Sequence, residues 1–323
     1  MKHPDKPANE AIRLDELQRL GILDTAQEER FDRYTRLARR LFDMPIVLVS
    51  LVDSNRQWFK SRVGLAATET PRDISFCGHA ILEEQPLIIE DASADTRFHD
   101  NPLVTGDPNI RFYAGCQVKG PGGHPLGTIC LIDREPRVLS DSDIESLKDI
   151  SEMVSGEIAS LQLAMTDELT GISNRRGFDM LATQALAMCR RNDQAATLVM
   201  IDMDEFKQIN DNFGHLEGDR ALQEFANLLL ETFRDSDVVA RLGGDEFCAL
   251  LTGTNASNAE IGVTRLAEAT ATFNREAMLD FPLLFSAGIS VCNPEAELAE
   301  ALRNADEQMY QVKLANRGCK KPA

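Results

Sequence analysis

Residues 238–251 read VVARLGGDEFCALL, two apolar runs that meet at Gly243 and Gly244. Glycine tolerates the backbone angles of a tight turn, so this stretch predicts two antiparallel strands joined by a hairpin. Asp245 and Glu246 follow the turn directly. Because glycine has no Cβ, a ligand could approach the backbone beside these two carboxylates. Spacing alone also allows a surface hairpin with a polar tip.

A second stretch in the same half, residues 196–211, reads ATLVMIDMDEFKQIND. Its apolar run predicts a buried strand that ends at Asp202. Successive strand side chains point to opposite faces, so we expect Asp202 rather than Asp204 to face a site. Carboxylate oxygens suit Mg²⁺, and a helix that begins at Glu205 would offer free N–H groups to phosphate. Alone, a D-x-D pattern is more often solvated surface or a helix cap.

The two halves of the chain differ in pattern. Helical and strand patterns alternate after Gly171, which predicts an α/β arrangement. Residues 24–135 predict a sheet with flanking helices, preceded by a helix over 13–41 that breaks near Gly21. The predicted strands of this sheet are IVLVSLVD, QWFKSRVG, PLIIED, RFYAGCQV and LGTICLID, and SFCGHAILEE is predicted to be helical.

A helix without proline is predicted to start near Ser140 and to connect the halves. Its apolar residues follow a heptad-like seam of Leu147, Val154, Ile158, Leu161 and Met165. Two interpretations remain open. The helix packs on its own domain, or it pairs with the same helix of a second chain as a coiled coil.

The bulk composition narrows the function classes. The 323 residues carry a net charge of −18, which disfavours binding to nucleic acid polymers or anionic lipid but not to a small nucleotide with a metal ion. Seven scattered cysteines without a C-x-x-C pair indicate reduced thiols. There is no signal-peptide core and no apolar run long enough for a membrane span. We therefore expect a soluble, cytoplasmic protein.

Several ordered motifs resemble the GGDEF family of diguanylate cyclases over about 165–318. The motifs are DELTGISNRR at 167–176, DMDEFKQIND at 202–211, FGHLEGD at 213–219, GGDEF at 243–247 and FSAGI at 285–289. The resemblance implies a palm-like sheet surrounded by helices, similar to nucleotide cyclases. It also implies that two GTP molecules, one on each domain of a homodimer, condense to cyclic di-GMP and two pyrophosphates.

The same resemblance implies residue roles. Asp202, Asp245 and the backbone carbonyl of Met203 would hold Mg²⁺ or Mn²⁺, and Glu246 would assist metal binding or proton removal. Which residue would act as the general base is left open. The remaining GTP contacts implied are the guanine partners Asn210 and Asp219, and the further substrate-binding residues Phe206, Lys207, His215, Lys313 and Arg317. The tail departs from the family's K-x-x-G-R-N, since Asn316 replaces Gly and Gly318 replaces Asn. This difference leaves open how firmly Arg317 would hold the phosphates.

Arg234 and Asp237 form an R-x-x-D pattern that ends shortly before Gly243. The spacing resembles the family's inhibitory site for the product, where an Arg fork and a carboxylate would contact guanine or phosphate. The alternative is a helix end with a surface ion pair.

The N-terminal half resembles GAF sensor domains over about 22–158. The resemblance rests on LGILD at 20–24, DSNRQWFK at 53–60 and SFCGHA at 75–80. It implies an antiparallel sheet with flanking helices and assigns no ligand. His79 could ligate haem, although a lone histidine on a helix is more often structural.

The predicted organisation has four parts: an N-terminal helical segment at 1–21, a GAF sensor domain at 22–140, a connecting helix at 141–166 and a GGDEF domain at 167–320. The leading functional hypothesis is a diguanylate cyclase regulated by its GAF domain and its product. The alternatives are a catalytically weak GGDEF domain that acts as a cyclic di-GMP receptor, and a GAF-driven scaffold whose output is protein contact.

Overall fold

Two antiparallel sheets organise the chain, as the alternating and apolar runs of the sequence predict. The computed structural model describes residues 1–276, 279–293 and 297–318. It forms two compact units, Met1–Gln162 and Leu163–Ala323. The predicted fold class is confirmed, with one mixed α/β domain in each half.

The sheet of the first unit has six strands in the order β3-β2-β1-β6-β5-β4, and every neighbouring pair is antiparallel. Its central strand β1 is buried at every residue, which explains the unbroken apolar run. The strands are β1 (Ile46–Val52), β2 (Arg56–Val63), β3 (Glu69–Pro71), β4 (Leu87–Ile89), β5 (Phe112–Lys119) and β6 (Pro125–Asp133). The five predicted strands are confirmed, and β3 is an addition.

The predicted helix over 13–41 consists of two helices, α1 (Glu10–Arg19) and α2 (Glu29–Phe42). They are separated at Gly21, whose φ of 57° an L-residue rarely adopts. The helix predicted over 75–84 is only the five-residue α3 (Phe76–Ala80), which Ser75 caps by accepting from the Gly78 N–H. A further short helix is α4 (Pro102–Thr105).

A buried arginine fixes α1 to the sheet. The side chain of Arg13 is fully buried and donates to the Val52 carbonyl oxygen over 2.7 Å. Its other nitrogens donate to both carboxylate oxygens of Glu10, which also accepts from Arg72. Burial raises the pKa of Glu10, but the hydrogen bonds from Arg13 and Arg72 outweigh that effect and lower the pKa to about 2.

The connecting helix α5 (Asp141–Leu163) buries its apolar face within one chain. Ser151 donates to the Gln117 carbonyl oxygen, and Glu157 pairs with Arg33, so the helix packs on the first unit. The five seam residues are at most 5% exposed, namely Leu147, Val154, Ile158, Leu161 and Met165. Of the two interpretations of the seam, this burial within one chain favours a helix that packs on its own domain. The exposed apolar side chains of α5 are instead Met153 and Leu163.

The sheet of the second unit has four strands in the order β10-β7-β9-β8, all antiparallel. Side chains that alternate along β7 enter two cores, one beneath α7, α8 and α9 and the other beneath α6 and α10. The strands are β7 (Ala196–Met203), β8 (Val238–Gly243), β9 (Glu246–Thr252) and β10 (Phe285–Val291). The helices are α6 (Arg175–Arg191), α7 (Phe206–Phe213), α8 (His215–Thr232), α9 (Ala256–Glu276) and α10 (Leu298–Gly318). Among the described residues, every helix is too short or too polar to span a membrane.

Candidate active site at the hairpin end of the second sheet

The Gly243-Gly244 turn brings the carboxylates of the hairpin to the end of β7. The two glycines have φ values of 147° and 55°, conformations that other residues avoid. The carbonyl oxygen of Asp245 accepts a hydrogen bond of 3.1 Å from the Met203 N–H. Asp202 lies opposite Glu246 in the β7–β9 ladder. The fold therefore brings Asp202 to Asp245 and Glu246, which lie more than forty residues further along the sequence.

Asp202 is the most buried carboxylate of this group, with 7% of its surface exposed. Its Oδ1 accepts a hydrogen bond from the ammonium group of Lys313 in α10. Burial raises the pKa of Asp202; Lys313 opposes the rise, and the charges of Asp245 and Asp204 add to it. A cation beside a buried carboxylate favours its ionised form, and Lys313 supplies that cation here.

Asp204 has a different partner from Asp202. Both of its carboxylate oxygens accept from the Ser286 hydroxyl at 3.0 Å. Ser286 in turn accepts from the Asn316 amide nitrogen over 3.2 Å. Asn316 is the residue that departs from the family pattern, and its side chain links the end of α10 to the end of β7 through Ser286.

The pKa of Glu246 is also raised. Burial is the main cause; Arg175, 3.9 Å away, opposes it, and Asp306, Asp202 and Asp245 add to it. The described residues contain no group of three or more His, Cys, Asp or Glu side chains arranged to hold a metal ion. The predicted set of metal ligands is smaller and consists of two carboxylates and the Met203 carbonyl. Because these ligands are hard oxygen atoms with an excess of negative charge, they suit a divalent cation.

The predicted guanine contacts meet where α7 and α8 join. Gly214, with φ of 89°, separates the two helices. The Asn210 side chain lies so close to Gly218 that a Cβ there would be 2.0 Å from Asn210 Oδ1. The exposed Asp219 follows Gly218 directly. Glycine at position 218 thus leaves room for the Asn210 amide.

The predicted phosphate contacts lie on the same helices. Lys207 and His215 are exposed, in the first turns of α7 and α8, and Phe206 packs partly against the core beneath these helices. The Arg317 side chain lies outside the described residues. These placements are compatible with the predicted roles, which stay predictions.

An ion pair that the sequence reasoning missed supports the hairpin. Arg241 donates from Nε to the Gly244 carbonyl oxygen at 2.9 Å and from a terminal nitrogen to Asp167 at 3.0 Å. Asp167 also accepts from the backbone and hydroxyl of Thr170. The motif that begins at Asp167 is thereby tied to the hairpin. Its residues were visible in the sequence, but their pairing across 74 positions was not.

The predicted inhibitory pair has unequal surroundings. Arg234 is exposed. Asp237 accepts at one oxygen from the Arg234 N–H and at the other from the Thr252 N–H, each at 3.0 Å. Asp237 therefore closes the base of the β8–β9 hairpin, a structural role that the sequence did not reveal.

Comparisons with known families agree with this geometry. Residues 164–319 match the model described as "Diguanylate cyclase, GGDEF domain", and residues 27–158 match that of the GAF domain. The GGDEF range, 164–319, contains the hairpin and every described residue of the candidate site. The GAF range, 27–158, contains the six-stranded sheet.

Individual relatives match only part of this chain and part of their own length. The "Cyclic di-GMP phosphodiesterase PA2567" of Pseudomonas aeruginosa is 37% identical over 63% of this chain and 34% of its own length. The "Probable diguanylate cyclase DgcC" of Escherichia coli K12 is 38% identical over 49% of this chain and 43% of its own. "Diguanylate cyclase DgcS" of Shewanella oneidensis is 32% identical over 61% of this chain and 62% of its own.

The chain thus spans between about a third and three fifths of the length of these relatives. The two family matches nevertheless fall on separate ranges that together account for most of its residues. The chain contains a GAF domain at residues 27–158 followed by a GGDEF domain at residues 164–319.

Proposed function

We propose that the GGDEF domain condenses two molecules of GTP into cyclic di-GMP and releases two pyrophosphates. The observation that carries the proposal is the buried Asp202, held beside Asp245 and neutralised by the Lys313 ammonium. A buried carboxylate with a raised pKa at the edge of a sheet is typical of a functional site. Two of the relatives above are named diguanylate cyclases, which supports the same reaction.

Asp202, Asp245 and the Met203 carbonyl are the groups that would hold Mg²⁺ or Mn²⁺. Bound there, the ion would polarise the α-phosphate and the attacking 3′-hydroxyl. Lys313 would then leave Asp202 and contact the terminal phosphates together with Lys207 and Arg317. Glu246, whose pKa is raised, is in a position to assist proton removal.

Selection of guanine would rest on Asn210 and Asp219. A carboxylate accepts from the N1–H and the 2-amino group of guanine, and adenine offers neither donor at those positions. A polar group that the bound base covers and leaves unpaired costs about 1–3 kcal/mol. We therefore expect GTP, and not ATP, as the substrate.

Two GTP-loaded domains must face each other for both bonds to form, so we propose a homodimer. The exposed face of α5 with Met153 and Leu163, 46% and 70% exposed, is the part of the connecting helix left for pairing. Orientation of two bound reactants can supply roughly 7–11 kcal/mol. Dimer geometry is thus the natural point at which the GAF domain would control activity.

We further propose product inhibition through Arg234 and Asp237. The exposed guanidinium of Arg234 is available to guanine or phosphate, and Asp237 Oδ2, which accepts from the Arg234 N–H, retains a lone pair for a second donor. We propose action in the cytoplasm, which agrees with the free thiols of all six cysteines in the described part of the chain.

The second candidate is a cyclic di-GMP receptor without synthesis. The relative PA2567 is named a phosphodiesterase, and two thirds of its length lies outside the match. The complete set of Asp202, Asn210, Asp219, Asp245 and Glu246 favours the synthase, because a receptor needs no such carboxylates.

The test is turnover by the purified full chain with GTP and Mg²⁺, with products identified by mass spectrometry. We expect cyclic di-GMP from the wild type, none from Asp245→Ala, and unchanged turnover from the exposed control Asp235→Ala. Binding of cyclic di-GMP without turnover would support the receptor instead. Comparable turnover of ATP would contradict the guanine assignment.

A further inference from the structure

The core of the first domain contains a polar cluster that the proposed function does not use. Cys77 in α3 and Cys130 in β6 are 2% and 0% exposed, and their sulfur atoms are 3.9 Å apart. They lie within an otherwise apolar core. The cluster is completed by three side chains that are 0% exposed: Ser50, Tyr113 and Thr128.

A hydroxyl group is directed at one of the two thiols. Tyr113 donates from its phenol to Cys77 Sγ over 3.5 Å. Gly115, which faces Cys130 in the β5–β6 ladder, makes this possible, because a Cβ there would be 2.2 Å from the Tyr113 hydroxyl oxygen. The fold thus keeps a residue without a side chain where the phenol must lie.

Two further hydroxyls border the cluster. Ser50 and Thr128 are direct partners in the β1–β6 ladder. Their hydroxyl oxygens are buried, and neither makes a hydrogen bond within the described residues. Buried polar atoms without partners are uncommon and often mark a functional position.

The two thiols are not equivalent. Hydrogen bonding from Cys130, with a smaller contribution from Tyr113, lowers the pKa of Cys77 and outweighs the effect of burial, which raises it. The pKa of Cys130 is raised well above that of an ordinary thiol, because of Cys77 and burial. One sulfur is thereby favoured as the thiolate, while the other keeps its proton, as a nucleophile and its resolving thiol would.

We propose that Cys77 and Cys130 are a redox-active pair that a small uncharged peroxide oxidises to a disulfide. The Cys77 thiolate attacks one peroxide oxygen, the O–O bond breaks, and the departing hydroxide takes a proton and becomes water. Cys130 then attacks the sulfenic sulfur, its own proton leaves with the hydroxyl group as a second water, and the S–S bond forms. Overall, two thiols lose two electrons and one peroxide gains them.

The required movement is small. The sulfur atoms must approach from 3.9 Å to a bond length of about 2.0 Å. Cys77 lies in α3, which is only five residues long. Because both thiols are buried, we expect the peroxide to enter through local opening of the domain, which makes the reaction slow but selective.

The test uses the full chain treated with hydrogen peroxide, denatured, alkylated and mapped by peptide mass spectrometry. We expect a peptide that joins Cys77 to Cys130, lighter by two hydrogen atoms and restored by dithiothreitol. Cys248, equally buried but in the other domain, is the internal control and should stay alkylatable. Cys116→Ser should leave the cross-link unchanged, since Cys116 is only partly buried and has a raised pKa.

Two variants make the result decisive. Cys130→Ala should abolish the cross-link. It also removes the hydrogen bond that lowers the pKa of Cys77 most, so the Cys77 sulfenic acid, trapped by a dimedone probe, should form more slowly than the disulfide forms in the wild type. Tyr113→Phe should keep the cross-link but slow its formation roughly tenfold, because the hydrogen bond to the thiolate is lost. If Cys130→Ala does not fold, Tyr113→Phe tests the proposal in its place. The proposal is overturned if Cys77 and Cys130 stay alkylatable at a peroxide dose that oxidises Cys116, or if Cys77 pairs with any other cysteine.

Discussion

A single methyl group at position 218 tests the guanine site without touching a polar residue. In Gly218→Ala the new Cβ would be 2.0 Å from Oδ1 and 3.0 Å from Cγ of Asn210. Carbon and oxygen atoms in contact lie roughly 3.5 Å apart, so the amide must retreat by more than about 1 Å. Only the end of a flexible side chain has to move, so the backbone can stay in place.

The expected effects on folding and on binding therefore separate. Alanine stabilises a helix interior by about 0.5–1 kcal/mol relative to glycine, which offsets part of the rearrangement. The displaced Asn210 loses its hydrogen bonds to guanine, at a cost of about 1–3 kcal/mol. At 1.4 kcal/mol per factor of ten, affinity for GTP should fall roughly 5- to 150-fold.

The assay is calorimetric titration with a non-hydrolysable GTP analogue, together with the melting temperature Tm. The matched control is Gly156→Ala in α5, where no atom lies within 4 Å of the added methyl group. This control should raise Tm slightly and leave affinity unchanged. If Gly218→Ala binds the analogue within twofold of the wild type while remaining folded, Asn210 does not contact guanine from this position.

Three other predictions follow from the contacts. Arg234→Ala should raise the cyclic di-GMP concentration needed for inhibition and leave Tm unchanged. Asp237→Ala should raise that concentration and also lower Tm, because it removes two backbone hydrogen bonds at the hairpin. Equal losses of Tm in the two variants would contradict the structural role of Asp237. Leu163→Lys should weaken the dimer in light scattering while the chain stays folded, whereas Leu161→Lys, at a position 3% exposed, should unfold it. Glu10→Gln should cost about 1–3 kcal/mol of unfolding free energy at pH 7, measured by urea titration. Since the folded pKa of about 2 lies below the ordinary 4.5, the wild-type advantage is present above pH 4.5 and should vanish as the pH falls towards 2; a difference that is constant with pH would refute the charge argument.

Long uniform patterns were predictable from the sequence, and contacts across the chain were not. The apolar runs of β1 and β7 and the paired glycines at 243–244 specify strands and a turn locally. The three-residue β3 carries no such pattern, and the predicted extension of α3 beyond Ala80 failed because apolar spacing does not show where tertiary packing ends a helix.

The candidate site divides in the same way. Asp202, Asp245 and Asn210 were predicted because family motifs mark their positions. The links Arg241–Asp167 and Ser286–Asp204 join residues 74 and 82 positions apart, and no local periodicity reports them. The seam of α5 was ambiguous for a related reason. A heptad stripe states that one helix face is apolar, but not whether a sheet or a second chain covers it.

The Lys313–Asp202 pair has a thermodynamic consequence. A divalent cation that arrives at Asp202 must displace an ammonium group already bound there, so part of its attraction to the carboxylate is cancelled. Nucleotide phosphates that take up the released ammonium recover that loss. Cation and nucleotide binding are therefore linked, and each strengthens the other by the same factor. The nucleotide-free domain should bind divalent cations weakly, and its apparent metal affinity should rise with GTP concentration.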